Sequence, residues 1–159
     1  LQIDAVVTYN RYLNAIMMPD LFNPSQIQFL AKKIALRMIK LTFCLTRLPH
    51  LTREQFQTYW RETHAPLVAA HKDVLRIRRY VQLHSSPVAT SEGIQRTRGG
   101  PDGYDGVAEL WWDSFEDMAK SGSDPEAAKA GKLLLEDERK FIDLPKSPLW
   151  WGEEFVVIR

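Results

Sequence analysis

The sequence predicts an α+β fold of the ferredoxin-like plan, βαββαβ, with a four-stranded antiparallel sheet and helices over one face. Three observations carry this. Apolar and polar residues alternate in short runs, the period of a strand with one buried face. Between the runs stand amphipathic segments with helix-start signals. The order is strand–helix–strand taken twice, which closes most simply as two split units sharing one sheet. The sheet face away from the helices keeps apolar groups that a lone subunit leaves in water, so a second copy is expected to pack there by two-fold symmetry.

Taken in order, the first strand is set by Ile39, Leu41, Phe43 and Leu45 alternating with Lys40, Thr42, Cys44 and Thr46. Arg47–Leu51, with Pro49, makes a turn. Thr52 and Gln55 form a T-x-x-Q capping box that opens a helix. Phe56, Tyr59, Trp60, Thr63, His64, Leu67 and Val68 share its broad inner face. Pro66 lacks an N–H and crowds the carbonyl of Glu62, so the helix is expected to bend beside His64, or to end and restart there. A second strand lies within Val74–Ser85, where Ile77, Arg79, Val81 and Leu83 alternate with Arg78, Tyr80, Gln82 and His84. Pro87–Asp105 is polar and glycine-rich and is expected to be a flexible hairpin loop, with Arg96 and Arg98 as solvated charges.

The third strand is Gly106–Trp112. Asp113 or Ser114 caps a helix over Phe115–Ser121. Asp124 as N-cap and Pro125 at the first helical position open a longer helix over Glu126–Lys140, with Ala127, Ala130, Leu134 and Phe141 as its core positions. Ile142–Glu153 is expected as coil, in which Trp150 and Trp151 fill gaps, and Phe155–Ile158 as the closing strand. Ahead of all this, residues 1–37 read as an N-terminal extension, with a short strand, a helix broken at Pro19 and a second helix opened by Ser25. The domain proper is expected over 38–159.

A formal net charge of +1 gives no field to recruit nucleic acid or an acidic membrane. No apolar run approaches the roughly 20 residues that span a bilayer. A single cysteine, Cys44, excludes an intrachain disulfide and a multi-cysteine metal site and suits a reducing cytoplasm. His50, His64, His71 and His84 lack metal-ligand spacing, so no metal is expected. No nicotinamide or flavin fingerprint is present, and no cofactor is expected.

Several motifs together match a known pattern: I-K-L-T-F at Ile39–Phe43, F-x-x-Y-W-x-x-x-H-A-P-L at Phe56–Leu67, Tyr80–Gln82 after Arg78 and Arg79, G-V-A-E-L-W-W at Gly106–Trp112 and D-E-x-x-F-I-D at Asp137–Asp143. In these the chain resembles the EthD-like branch of the dimeric α/β-barrel superfamily. The resemblance implies a homodimer with a pocket in each subunit between sheet and helices. It also implies small-molecule chemistry, either cofactor-free acid–base lyase chemistry (dehydration, decarboxylation or cyclisation) on an apolar aromatic or alicyclic substrate, or oxidoreductase or oxygenase-accessory work in ether or aromatic degradation. A non-catalytic ligand-binding or assembly protein is the third reading.

Within the chain, His64 is the first catalytic candidate because its intrinsic pKa suits proton transfer near neutrality. The competing reading is a histidine that bonds the carbonyl freed by Pro66 and only pins the bend. Tyr80 joins it as a catalytic candidate, with a place at the dimer seam as the alternative. Phe43, Tyr59, Trp60, His84, Glu109 and Trp111 are the expected substrate-binding residues, with water or the dimer partner as the alternative for Glu109, and with one of the adjacent Trp111 and Trp112 facing inward and the other the partner. Asp137, Glu138, Arg139 and Asp143 are open to two readings, catalytic acids or, the commoner case, a solvated helix end in which Arg139 and Asp143, four apart, pair.

Overall fold

A computed structural model describes Ser25, residues 38–86 and residues 89–158. The chain divides into two units, Leu1–Met38 and Ile39–Arg159, and nearly all the described residues belong to the second. The strand and helices expected over residues 1–37 lie outside the described residues, Ser25 apart.

Strand β1, Ile39–Leu45, is the centre of the sheet. On one side it pairs antiparallel with β3, Gly106–Trp112, from Ile39 opposite Trp112 to Leu45 opposite Gly106. On the other it pairs antiparallel with β4, Leu149–Glu153, with Leu41 opposite Trp151. Strand β2, Arg79–His84, adds to the far side of β3, with Tyr80 opposite Leu110. The order β2-β3-β1-β4 is the ferredoxin-like sheet. Because side chains alternate, this register puts Leu41, Phe43, Tyr80, Ala108, Leu110 and Trp112 on one face and Lys40, Thr42, Arg79, Val81, Glu109 and Trp111 on the other.

The helices cover the first face. Helix α1, Arg53–Tyr59, starts at the expected capping box: Gln55 N–H donates to Thr52 Oγ1 at 3.1 Å, and Thr52 N–H to Gln55 Oε1 at 2.8 Å. A π turn, Trp60–His64, then widens the backbone before α2, Ala65–Ala70. Ala65 N–H reaches the carbonyl of Trp60, one residue further back than in an α-helix. Pro66 follows at once, so the α-helix ends ahead of His64 and restarts just after it, next to the proline. Phe56, Trp60, Phe141 and Leu45 are the largest fully buried side chains. Each removes enough apolar surface from water to contribute on the order of 2–3 kcal/mol.

Helix α3, Ala89–Thr97, stands where a hairpin loop was expected. Its polar composition and internal Gly93 concealed it. It ends at Gly99, whose φ of +62° turns the chain back so that Gly99 and Gly100 N–H donate to Arg96 and Gln95 carbonyls. Helix α4, Phe115–Gly122, is capped by Ser114, and α5, Pro125–Glu138, by Asp124. The closing strand is β4, earlier than the expected Phe155–Ile158. Pro148 C=O takes the N–H of Cys44 at 2.9 Å and starts that pairing. Trp150 and Trp151 lie within β4 rather than in coil; Trp150 stays 50% exposed, while Trp151, on the helix-covered face, packs its ring on Trp112 at 5.1 Å. Asp143 pairs with Lys146 at 3.0 Å rather than with Arg139. Among the described residues no helix is long and apolar enough to cross a membrane.

Candidate functional site

Sheet and helices do not close completely. A cavity of about 330 Å³ remains between them, walled by apolar side chains that include Leu41, Phe43, Trp60, Leu110 and Trp112. Its ionisable or hydroxyl-bearing lining residues are His64, Tyr80, Ser121 and Glu138, and no Lys or Arg lines it. The volume and apolar lining are those of a small-molecule site.

His64 comes from the π turn and is 5% exposed. Its Nδ1 lies 2.9 Å from Oδ2 of Asp137, on the last turn of α5. The same carboxylate accepts from the Tyr59 hydroxyl at 2.7 Å and from Lys140 Nζ at 3.0 Å. Burial would raise the Asp137 pKa, but the hydrogen bonds from Tyr59, His64 and Lys140 outweigh it and hold the group below its ordinary value. Asp137 is therefore an acceptor at neutral pH and fixes the proton of His64 on Nδ1. Burial also holds the imidazole below its usual pKa, against the pull of Asp137. The result is a neutral ring whose Nε2 lone pair has no partner among the described residues. The Phe141 ring, 5.1 Å away, fixes its tilt.

Tyr80 is set by a second chain of hydrogen bonds. Its oxygen lies 2.8 Å from Trp60 Nε1 and 2.9 Å from Gln82 Nε2. The indole nitrogen only donates. The orientation of Gln82 follows from its other contact, the carbonyl of Trp60 at 3.1 Å, which only accepts. Hence the amide nitrogen points to Tyr80 and the amide oxygen to His84 Nε2, 2.9 Å away. His84 then carries its proton on Nε2. Both acceptor positions of the Tyr80 oxygen are filled, so its own hydrogen is free to donate. Burial pushes the Tyr80 pKa up to about 12, which keeps that hydrogen in place.

Glu138 follows Asp137 on α5 and lines the cavity. Burial, with the Asp137 charge adding to it, raises its pKa to about 7. No side chain donates to it among the described residues. The structure thus brings together His64, Tyr80, Phe43 and Trp60 around one cavity. Tyr59 stands behind His64 on Asp137. His84 stacks on the Trp60 ring at 4.6 Å without lining the cavity. Glu109 and Trp111 do not belong to this group, because the register of β3 turns both to the opposite face. There Glu109 pairs with Lys40 at 2.8 Å, and Trp111 lies beneath Lys40 and Arg79. Sequence reasoning ranked a solvated helix end above catalytic acids for Asp137 and Glu138. The signal against that was their position: they fall on the stripe that Ala127, Ala130, Leu134 and Phe141 mark as the inner face of α5.

A four-stranded antiparallel sheet in this order, with one helix-covered face and a cavity beneath, makes the chain a ferredoxin-like α+β protein. The chain belongs to the EthD family: the EthD domain matches residues 48–145. Among solved structures it is similar to an ethyl tert-butyl ether d (EthD) family protein from Bacillus halodurans, with 22% identity, 74% of this chain and 99% of that chain covered, and a TM-score of 0.49. It is similar to a protein from Bacteroides fragilis described as dimeric, of unknown function and ferredoxin-like fold, at 13% identity over 74% and 96% of the two chains, TM-score 0.47. It is also similar to SnoaB, described as a cofactor-independent oxygenase from Streptomyces nogalater, at 11% identity over 77% and 96%, TM-score 0.42. A comparison with the curated proteins finds no match.

Proposed function

We propose that this EthD-family chain is an enzyme of the lyase type that moves protons on an uncharged apolar ketone, aromatic or alicyclic. His64 Nε2 takes a proton from the carbon beside the carbonyl. The Tyr80 hydroxyl donates to the carbonyl oxygen and stabilises the enolate that forms. Phe43 and Trp60 hold the ring system. Proton transfer of this kind asks for no metal or redox cofactor.

The observation that carries the reading is the buried His64–Asp137 contact of 2.9 Å at the wall of an apolar cavity. It supplies a neutral base with a fixed tautomer and a free lone pair, which general base catalysis needs. A purely structural histidine at the bend would bond backbone, and Nδ1 is bonded to a carboxylate instead. The reading extends to a homodimer through the sheet face opposite the cavity, within residues 38–159, with 1–37 as an accessory extension and the reducing cytoplasm as its place of action. Support for the dimer comes from Leu83, 60% exposed on that face, and from the exposed apolar run Phe155–Ile158.

Deuterium uptake by 1-tetralone or 2-tetralone in D2O, followed by mass spectrometry, tests the base. The wild-type protein is expected to catalyse uptake and His64→Gln to lose about 100-fold of it. No catalysed uptake by the wild type, or equal uptake by His64→Gln, would overturn the reading.

A further inference from the structure

The chemistry above leaves Glu138 without a task. It stands one residue after Asp137, and neighbours on a helix diverge by about 100°. Asp137 therefore meets His64 and Tyr59 while Glu138 meets the cavity. The two carboxyls differ in company. Asp137 accepts three hydrogen bonds. Glu138 has no donor or cation beside it among the described residues, in a cavity that no Lys or Arg lines. A carboxyl left unpaired and only partly exposed in apolar surroundings is costly to ionise and holds its proton to higher pH than a solvated one. Such a group is an acid held ready to deliver its proton. The lining therefore offers a base, a hydrogen-bond donor and an acid, and nothing that would neutralise an anionic substrate.

We propose that Glu138 is a second proton-transfer residue of this site and that the substrate is an uncharged ketone bearing a hydroxyl on the carbon β to its carbonyl, lost as water. The proposal rests on the roles given to His64 and Tyr80. His64 Nε2 takes the α proton, and the C–H electron pair moves into the enolate, whose oxygen Tyr80 holds. The enolate pair then forms the Cα=Cβ bond as the Cβ–O bond breaks. Glu138 gives its proton to the departing oxygen, which leaves as water. The sum is β-hydroxy ketone to enone plus water, with no change of oxidation level. His64 ends protonated and Glu138 ionised, and transfer of one proton from imidazolium to carboxylate restores both. Substrates carrying a carboxylate beside the ketone are turned away, since the cavity offers that charge no cation and presents a carboxyl to it.

Two probes separate this proposal from the reading it builds on. Deuterium uptake by 1-tetralone needs His64 and Tyr80. Dehydration of 3-hydroxy-1-tetralone to 1-naphthol, read by fluorescence, needs Glu138 as well. Glu138→Gln is expected to lower dehydration at least about 20-fold more than it lowers uptake, whereas His64→Gln lowers both to a similar degree. Uptake by the wild type also reports inhibitors: 1-naphthol is expected to inhibit at least about tenfold more strongly than 1-naphthoate, a difference of about 1.4 kcal/mol. Wild-type uptake without wild-type dehydration would overturn the present proposal alone. So would a Glu138→Gln variant that dehydrates within about threefold of wild type or that loses both activities equally, and equal inhibition by naphthoate would overturn the substrate class. Absence of uptake in the wild type would remove the underlying reading instead.

Discussion

Replacing Glu138 by Gln should stabilise the protein, and only toward neutral and alkaline pH. Burial, aided by the Asp137 charge, raises this carboxyl from 4.5 to about 7. Between those values the folded state keeps a proton that the unfolded state has released. Stability therefore falls as pH rises through the window and stays lower above it. At about 1.4 kcal/mol per pH unit, the gap amounts to roughly 3 kcal/mol, and solvent in the cavity trims this to about 2–3 kcal/mol. Gln keeps the shape without the charge. The other titratable groups around the carboxyl are Asp137 on the same helix, His64 on the π turn and Tyr80 on β2. His64, with its pKa lowered, contributes an opposite slope below its ordinary value of 6.5. Asp137, also lowered, acts only in acid. All three are common to both proteins and largely cancel in the difference. Urea unfolding followed by tryptophan fluorescence should show a gain of about 2–3 kcal/mol at pH 8 and almost none at pH 4. An equal gain at both pH values, or a loss at pH 8, would refute the picture of an unpaired acid in the cavity. A gain would mark Glu138 as a residue whose placement costs stability, as functional groups commonly do.

Asp137→Asn removes the charge that fixes His64; we expect proton-transfer activity to fall by about 100-fold or more, and stability by about 2–4 kcal/mol from the loss of charge-assisted bonds, both measured against wild type. Gly106→Val should destabilise by about 1–3 kcal/mol in a thermal melt, because a Cβ there would lie 2.5 Å from the Trp60 ring and 2.8 Å from the Leu83 carbonyl, and neither has room to retreat. The pH profile of dehydration should be a bell: the acid limb falls below 6.5, where lowered His64 begins to protonate, and the alkaline limb lies near 7, where Glu138 loses its proton. Leu83→Asp should shift sedimentation toward the monomer while uptake by each subunit persists; an unchanged sedimentation coefficient would count against a dimer on that face.

The fold was legible because its signals are local. Alternation in Ile39–Leu45 and Gly106–Trp112 reports one buried sheet face, and the Thr52 and Asp124 caps report helix starts whose bonds lie within three residues. Pro66 reports the break and restart of the helix because a missing N–H acts at a fixed distance. Signals that depend on partners far along the chain were not legible. Strand β4 was displaced because Phe155–Ile158 looks more strand-like than Leu149–Glu153, and only pairing with β1 selects the latter. Helix α3 was missed because its polar sequence carries no apolar stripe to report. Glu109 and Trp111 were put in the pocket although they share one sheet face with each other and not with Leu110 and Trp112; which face the helices cover is settled by packing, not by period two.

The site shows the same division within a single helix. Alternation on strands and the helix face of Phe56, Trp60 and His64 were enough to find the histidine, but not its partner 73 residues away. The run Asp137–Glu138 reads as solvated when it is judged by composition. Judged by position it does not, because α5 has a fixed start at Asp124 and Pro125, and its register is set from there. Ala127, Ala130 and Leu134 then define an inward stripe, and the next places on that stripe fall to the two acids. Asp137 is carried to His64 and Glu138 to the cavity by the 100° between neighbours. One residue inserted in α5 would rotate both away from their places while leaving composition, caps and helix length almost as they are. The chemistry of the cavity therefore hangs on the register of α5, and a carboxylate lying on an apolar stripe is the sequence-level sign that such a register is in use.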